Sequence, residues 1–211
     1  MSKAGPSLKS PAENLAPGKA LTIANVADGA EALIVSDLAR AVTAKHKLGP
    51  VSLALVCRDG QRMAQIARAA GADAVILYRE ADFEAEVRRL TDGQVVDVVY
   101  DSVGKDTYMG SLDCLRPIGL FVIFGQSSGA IPPFSTALLS QKGSLFMTRP
   151  TLFTYVAKRS DLENSAAALF DVVASGAVKI EINQTYALKD AGQAQTDLEN
   201  RATTGTTVLL P

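Results

Sequence analysis

The chain has 211 residues, 47% hydrophobic and 20% charged, enough apolar material for the core of one domain, with or without an appendage, and no composition of general disorder. Its 21 Lys and Arg against 22 Asp and Glu exclude a protein that works mainly by neutralising a phosphate polyanion, so nucleic acid is not an expected partner. Two cysteines, Cys57 and Cys114, and one histidine, His46, cannot supply a disulfide framework or a common zinc cluster, and no metal site is expected. No apolar stretch approaches the ~20 residues of a membrane span. Residues 1–17 are rich in Ser, Pro, Lys and Ala without an apolar signal core, so a cytoplasmic chain is expected. The opening MSKAGPS reads as an expression leader.

After this tail, apolar runs alternate with helical patterns. ALTIANV (20–26) is a short β-branched run, and 30–45 places Leu33, Ile34, Leu38, Ala41 and Val42 on one helical face. Gly49-Pro50 punctuates, and VSLALVC (51–57) reads as a buried strand. A helix over 61–70 is closed by Gly71. Then follow strand 74–78, helix 83–90, strand 95–100, helix 106–115, strand 119–124, a short helix 136–141 and strand 144–148. Strands separated by helices need crossovers, which give parallel pairing and a sheet covered on both faces. The expected fold is therefore α/β, a doubly wound, six-stranded parallel Rossmann-like sheet in the order 3-2-1-4-5-6. Beyond it lie a helix over 161–175, an extended run 184–188, a helix over 189–200 and a last strand over 206–210. Residues 1–18 are expected as a flexible tail, 19–158 as the sheet domain and 159–211 as a C-terminal segment packed on it.

In such sheets ligands sit beyond the carboxyl ends of the strands. Four of those ends carry Tyr78-Arg79-Glu80, Asp101-Ser102-Val103-Gly104, Gly125-Gln126-Ser127-Ser128-Gly129 and Arg149-Pro150. Hydroxyls, glycines and an aromatic on one edge suit a nucleotide cofactor; equally, Gly and Ser simply make turns there.

From about residue 69 to 211 the chain resembles the zinc-independent quinone oxidoreductases, the zeta-crystallin-like branch of the medium-chain dehydrogenase/reductase superfamily. GADAVILYREADF (71–83), VDVVYDSVGKDTY (96–108), LRPIGLFVIFGQSSG (115–129) and RATTGTTVLLP (201–211) carry the resemblance. It implies NADPH, with Tyr78 at the adenosine phosphate end, Ser102 and Val103 at the ribose, and Phe124, Gly125 and Ser127 at the nicotinamide half. Arg201 would approach from the C-terminal segment. The resemblance also implies hydride transfer to a quinone or enone, and a homodimer through strand 144–148, an edge otherwise exposed. Residues 8–68 instead resemble the N-terminus of alphaproteobacterial transcription-repair coupling factors, so the chain reads as a chimera joined near 68–71, without the GroES-like catalytic domain.

The first loop decides how well a diphosphate is held. A dinucleotide needs helix N-terminal amides and close-approaching glycines. Here Asp28 and Glu31 flank the single Gly29 in a capping-box spacing and compete for those amides. A carboxylate about 4 Å from a phosphate costs ~1 kcal/mol in water and ~4 kcal/mol at an effective dielectric near 20, roughly five- to several hundred-fold in affinity. Asp59 reads as an ordinary turn and cap, with Arg58 and Arg62 as a weak 2′-phosphate signal. His46 fits a solvated helix terminus, and both cysteines read as structural thiols. Asp97 is expected near a sheet end, and Tyr100 and Tyr108 as packing residues. No catalytic residue is assigned. The expected function is an impaired NADPH-binding domain of a quinone oxidoreductase. The alternative is a non-catalytic chimeric module, with Val208 and Leu210 exposed or paired with another copy, and with a DNA-repair association resting on residues 8–68 alone.

Overall fold

A computed structural model describes residues 20–26, 51–57, 61–69, 72–178, 180, 182–200 and 202–211. The apolar runs form strands β1 (Ala20–Val26), β2 (Val51–Cys57), β3 (Ala74–Leu77), β4 (Val96–Asp101), β5 (Leu115–Ile123) and β6 (Phe146–Thr148). They pair in one parallel sheet of order β3-β2-β1-β4-β5-β6, the expected order. Parallel pairing leaves neither face to water, which is why VSLALVC and VDVVYD carry apolar residues almost without alternation.

Helix α1 (Gln61–Ala69) turns Ala64 and Ala67, three residues apart, into the interior. Helix α2 (Phe83–Leu90) matches the predicted bounds because local chemistry fixes both ends. Asp82 Oδ1 accepts from the amides of Glu84 at 3.0 Å and Ala85 at 3.3 Å. Glu84 and Glu86 occupy the first turn and Arg88 and Arg89 the last, complementing the helix dipole. Val87 is its buried residue, and Arg88 also donates to the Asp113 carbonyl at the end of α3 (Tyr108–Asp113). The core gathers between these helices and the sheet around Val56, Val99, Leu112, Phe121 and Ile123.

Several boundaries differ from the sequence reading, most of all at β5, which begins at 115 rather than 119 because residues 115–118 are strand rather than the end of a helix. Helix α3 begins at 108 rather than 106, because Asp106 and Thr107 belong to a turn held by side chains described below. After the short helix α4 (Ala137–Gln141), β6 begins at 146 rather than 144, because Gly143 and Ser144 adopt φ values of 111° and 57° that cannot continue a strand. The four-residue helix α5 (Leu152–Tyr155) was not expected; one turn leaves no periodicity to read.

The C-terminal part forms α6 (Arg159–Ala174), β7 (Ile182–Ala187), a 3₁₀ turn Leu188–Asp190, α7 (Ala191–Glu199) and β8 (Thr206–Leu210). Strands β7 and β8 pair in parallel as a second, two-stranded sheet. Tyr186 donates to Asp197 on α7 at 2.8 Å, fastening that helix to its strand and pushing the Tyr186 phenol pKa up. Helices α5 and α6 bury no residue, and Leu152, Phe153, Leu169 and Phe170 are exposed. Leu210 is exposed, as expected, whereas Val208 is half-buried. No described helix is long and apolar enough to cross a membrane.

Candidate functional site

Because the strands are parallel, their carboxyl ends share one edge. The strand order reverses between β1 and β4, where a ligand crevice forms in such sheets. Asn25, one residue from the end of β1, is in register with Asp101, the last residue of β4. The loop leaving β4 therefore starts at the switch point.

That loop is organised by the buried carboxylate of Asp101, which is 0% exposed. Its Oδ1 accepts from the amides of Val103 at 2.8 Å and Gly104 at 2.9 Å. Its Oδ2 accepts from the hydroxyls of Thr107 and Ser111, both at 2.8 Å. Two amides and two hydroxyls converge on this carboxylate and compensate its burial.

The loop after β5 is laced onto this one. The Phe124 amide donates to the Asp101 carbonyl at 2.9 Å, Ser127 to Ser102 at 3.1 Å and Ser128 to Val103 at 2.9 Å. The Ser128 hydroxyl donates to Val103 at 2.7 Å and accepts from the Asp106 amide at 3.0 Å. The Lys105 amide donates to the Gly129 carbonyl at 3.1 Å. Two glycines permit the approach: a Cβ on Gly125 would lie 2.5 Å from the Ser102 carbonyl oxygen, and one on Gly104 2.7 Å from that of Gly129. These glycines bring the loops against each other, a tighter constraint than the flat ligand for which the sequence suggested them.

Of the six described residues singled out from the sequence, five lie on these two laced loops. Ser102 and Val103 are buried, 3% and 2% exposed, so the loop shape rather than an open side-chain surface is what they contribute. Phe124, 40% exposed, and the exposed Ser127 form the rim beside half-buried Gly125. Tyr78 follows β3 farther along the edge and packs half-buried on the core. Gly29 and Arg201 lie outside the described residues, as do Asp28, Glu31, His46, Arg58, Asp59 and the side chains of Cys57 and Arg62. Asp101, Thr107 and Ser111 were not selected from the sequence. The Asp-Ser-Val-Gly run followed by hydroxyls six and ten residues after the aspartate was the available signal.

The remaining candidates take structural places. Burial pushes the Cys114 thiol up to about 12, which keeps it protonated and inert. Asp97, at the start of β4, pairs with Arg116. Tyr108 stacks on Phe134 with centroids 6.3 Å apart. Tyr100, expected as a packing residue, is instead 40% exposed; what burial it has, with Tyr155 adding, pushes its phenol above its ordinary range. Among the described residues no His, Cys, Asp and Glu gather in a group that could hold a metal ion.

The exposed rim carries an apolar, a polar and a cationic group, the last being Arg149, which donates to Gln126 at 3.2 Å. Phe124 supplies an apolar face and Ser127 a hydroxyl, while the amides of 103, 104, 124, 125, 127, 128 and 129 already donate within the protein.

The chain is 44% identical over 189 residues to quinone oxidoreductase 1 of Escherichia coli, covering 89% of this chain and 55% of that protein. It is 41% identical over 152 residues to a 2-haloacrylate reductase of a Burkholderia species, covering 72% and 46%. The crystal structure of the Escherichia coli quinone oxidoreductase complexed with NADPH superposes with a TM-score of 0.81 at 41% identity, covering 92% of this chain and 57% of that one. The chain thus spans about half the length of the relatives it matches. The first of these matches is longer than residues 69–211, so it extends upstream of the suggested junction. With the zinc-binding dehydrogenase family model matched over residues 70–209 on this parallel sheet, the chain belongs to that family of the medium-chain dehydrogenase/reductase superfamily, and its relatives here include quinone oxidoreductases.

Proposed function

We propose that this chain is the NADPH-binding domain of a quinone oxidoreductase, with reduced or absent turnover by itself. The observation that carries the reading is the laced loop pair at the carboxyl edge, beside the switch point of a sheet ordered β3-β2-β1-β4-β5-β6. Phe124, Gly125 and Ser127 would hold the nicotinamide half, Ser102 and Val103 would shape the ribose site, and Tyr78 would stand towards the adenosine phosphate. Arg201 keeps the place the family resemblance gives it, and Gly29, the single glycine beside Asp28 and Glu31, would lie nearest the diphosphate. When bound, the cofactor supplies a hydride for an electron-poor quinone or enone. The chain's own part is to bind and orient it.

Turnover is weak in this reading because Asp28 and Glu31 would compete with a diphosphate for the amides beside Gly29. The tail is assigned to 1–18, the cofactor domain to 19–158 and the C-terminal segment to 159–211. Two copies pair through the edge strand β6, where Phe146 is exposed. NADPH titration of the full chain, followed by cofactor fluorescence with a quinone added, tests the reading. Binding weaker than micromolar with little quinone-dependent oxidation is expected. Sub-micromolar binding with turnover would refute the blocked loop, and no binding would refute the cofactor assignment.

A second reading, a non-catalytic folded module, is favoured by the exposed apolar residues of α5 and α6. Gel filtration with an apolar dye tests it; a strict monomer that binds no dye counts against it. A composite origin of the chain rests only on what residues 8–68 resemble. The match running upstream of residue 69 weighs against a junction at 68–71, and a net charge of −1 gives a DNA-repair role no electrostatic support.

A further inference from the structure

We infer that Asp101 is a positioning residue for the cofactor: without touching the ligand, its carboxylate sets the shape of both loops that would receive the ribose and nicotinamide. The inference rests on the cofactor reading above. Asp101 is fully buried at the end of β4, in register with Asn25 beside the switch point. Its four donors, the amides of Val103 and Gly104 and the hydroxyls of Thr107 and Ser111, span the turn from β4 into α3. The same turn presents the carbonyls of Ser102 and Val103 to the amides of Ser127 and Ser128, and the Asp101 carbonyl itself receives Phe124. Carboxylate, first loop and second loop therefore form one connected unit, and the rim residues Phe124 and Ser127 inherit their positions from it. A buried charge held by donors that leave little play is suited to such pre-organisation, because ordering is complete before the ligand arrives.

Two substitutions separate hydrogen-bond geometry from charge. Asp101→Ala removes every acceptor. Asp101→Asn keeps Oδ1 for the two amides, and its NH₂ can donate to the Thr107 and Ser111 hydroxyls, which accept as readily as they donate. A core variant at a distance from the edge, Val87→Ala, controls for general loss of stability. In the full chain, NADPH affinity is measured by cofactor fluorescence, and hydrogen exchange of the Val103 and Gly104 amides is measured by NMR without ligand. The expected result for Asp101→Ala is an affinity lower by about tenfold or more, equivalent to about 1.4 kcal/mol. Its amides 103 and 104 exchange faster than in Val87→Ala, while Asp101→Asn stays within about threefold of the parent on the same scale. If Asp101→Ala fails to fold, Ser111→Ala and Thr107→Val, each removing one donor to Oδ2, must weaken NADPH more than Val87→Ala does. An alanine variant that binds NADPH like Val87→Ala, or an asparagine variant as weak as alanine, would overturn the assignment. A parent chain that binds no NADPH defeats the cofactor reading instead, a result distinguishable from a parent that binds and an alanine variant that binds alike.

Discussion

Replacing Gly125 by alanine tests whether the contact between the two loops is structural and functional at once. The new methyl would meet three backbone atoms of Ser102: the carbonyl oxygen at 2.5 Å, Cα at 2.8 Å and the carbonyl carbon at 3.0 Å. None belongs to a side chain that can swing away, so the loops must part by about 0.9 Å to reach ordinary contact near 3.4 Å. That movement stretches the Ser127-to-Ser102 hydrogen bond, now 3.1 Å, beyond useful length. Overpacking costs about 1–3 kcal/mol and each lost hydrogen bond about 0.5–1.5 kcal/mol. The expected destabilisation is about 2–4 kcal/mol, a fall in Tm of roughly 4–15 °C for a chain of this size. NADPH binding should weaken with it, because the rim is carried on the displaced loop. At Gly192, in the first turn of α7, an added methyl would have nothing within 4 Å, so Gly192→Ala should hold or raise stability by up to about 1 kcal/mol. Thermal melts and NADPH titration of both variants decide the matter. A Gly125→Ala protein melting within about 2 °C of the parent, where several kcal/mol were expected, would refute the packing account of the loops.

Three further outcomes are expected. Asp82→Ala removes the side-chain cap of α2 and should cost about 1 kcal/mol in urea unfolding, with Asp82→Asn largely neutral. Burial keeps the proton on the folded Cys114 thiol up to about pH 12, so stability from this group is complete below about pH 9 and falls as pH rises from there. The loss is about 1.4 kcal/mol per pH unit, so Cys114→Ala should melt with a shallower pH dependence above pH 9, and identical slopes would count against it. Asp28→Asn combined with Glu31→Gln should tighten NADPH roughly five- to several hundred-fold; unchanged affinity in the titration would remove those acids from the diphosphate site.

The sheet order was legible because it needs only strand-like runs joined by helical crossovers, and VSLALVC and VDVVYD have the unbroken apolar character of strands covered on both faces. Helix α2 was legible to the residue because Asp82 and the charges of both end turns write its limits locally. Where the sequence misled, a contact distant in the chain decided. Asp106 looks like a helix start, but its amide goes to the Ser128 hydroxyl 22 residues away, and the helix begins later. Strand β6 looks longer than it is because nothing in Ser144 announces a positive φ. Ser102 and Val103 drew attention in the sequence, whereas Asp101 beside them is the residue whose carboxylate ties the loop together. Its importance depends on Thr107 and Ser111 converging on one oxygen, which no spacing rule for a turn followed by a short helix would supply.

The laced loops also fix what kind of recognition this edge can perform. An anion nest needs amides that point outward and have no other partner, yet the amides of 103–106, 124, 125 and 127–129 are spent joining one loop to the other or to Asp101, or closing the second loop on itself. Spending them inward makes the rim stiff and leaves it side chains for contact: the face of Phe124 and the hydroxyl of Ser127. Arg149 adds a guanidinium to this rim, donating to Gln126 at 3.2 Å, so the edge offers a ring face, a hydroxyl and a positive charge. In the proposed cofactor reading the diphosphate is assigned to residues 28–31, where the sequence sets Asp28 and Glu31 beside Gly29. A change at Asp28 or Glu31 should move how tightly the cofactor is held, whereas a change at Asp101 or Gly125 should move both its affinity and how its ring is presented.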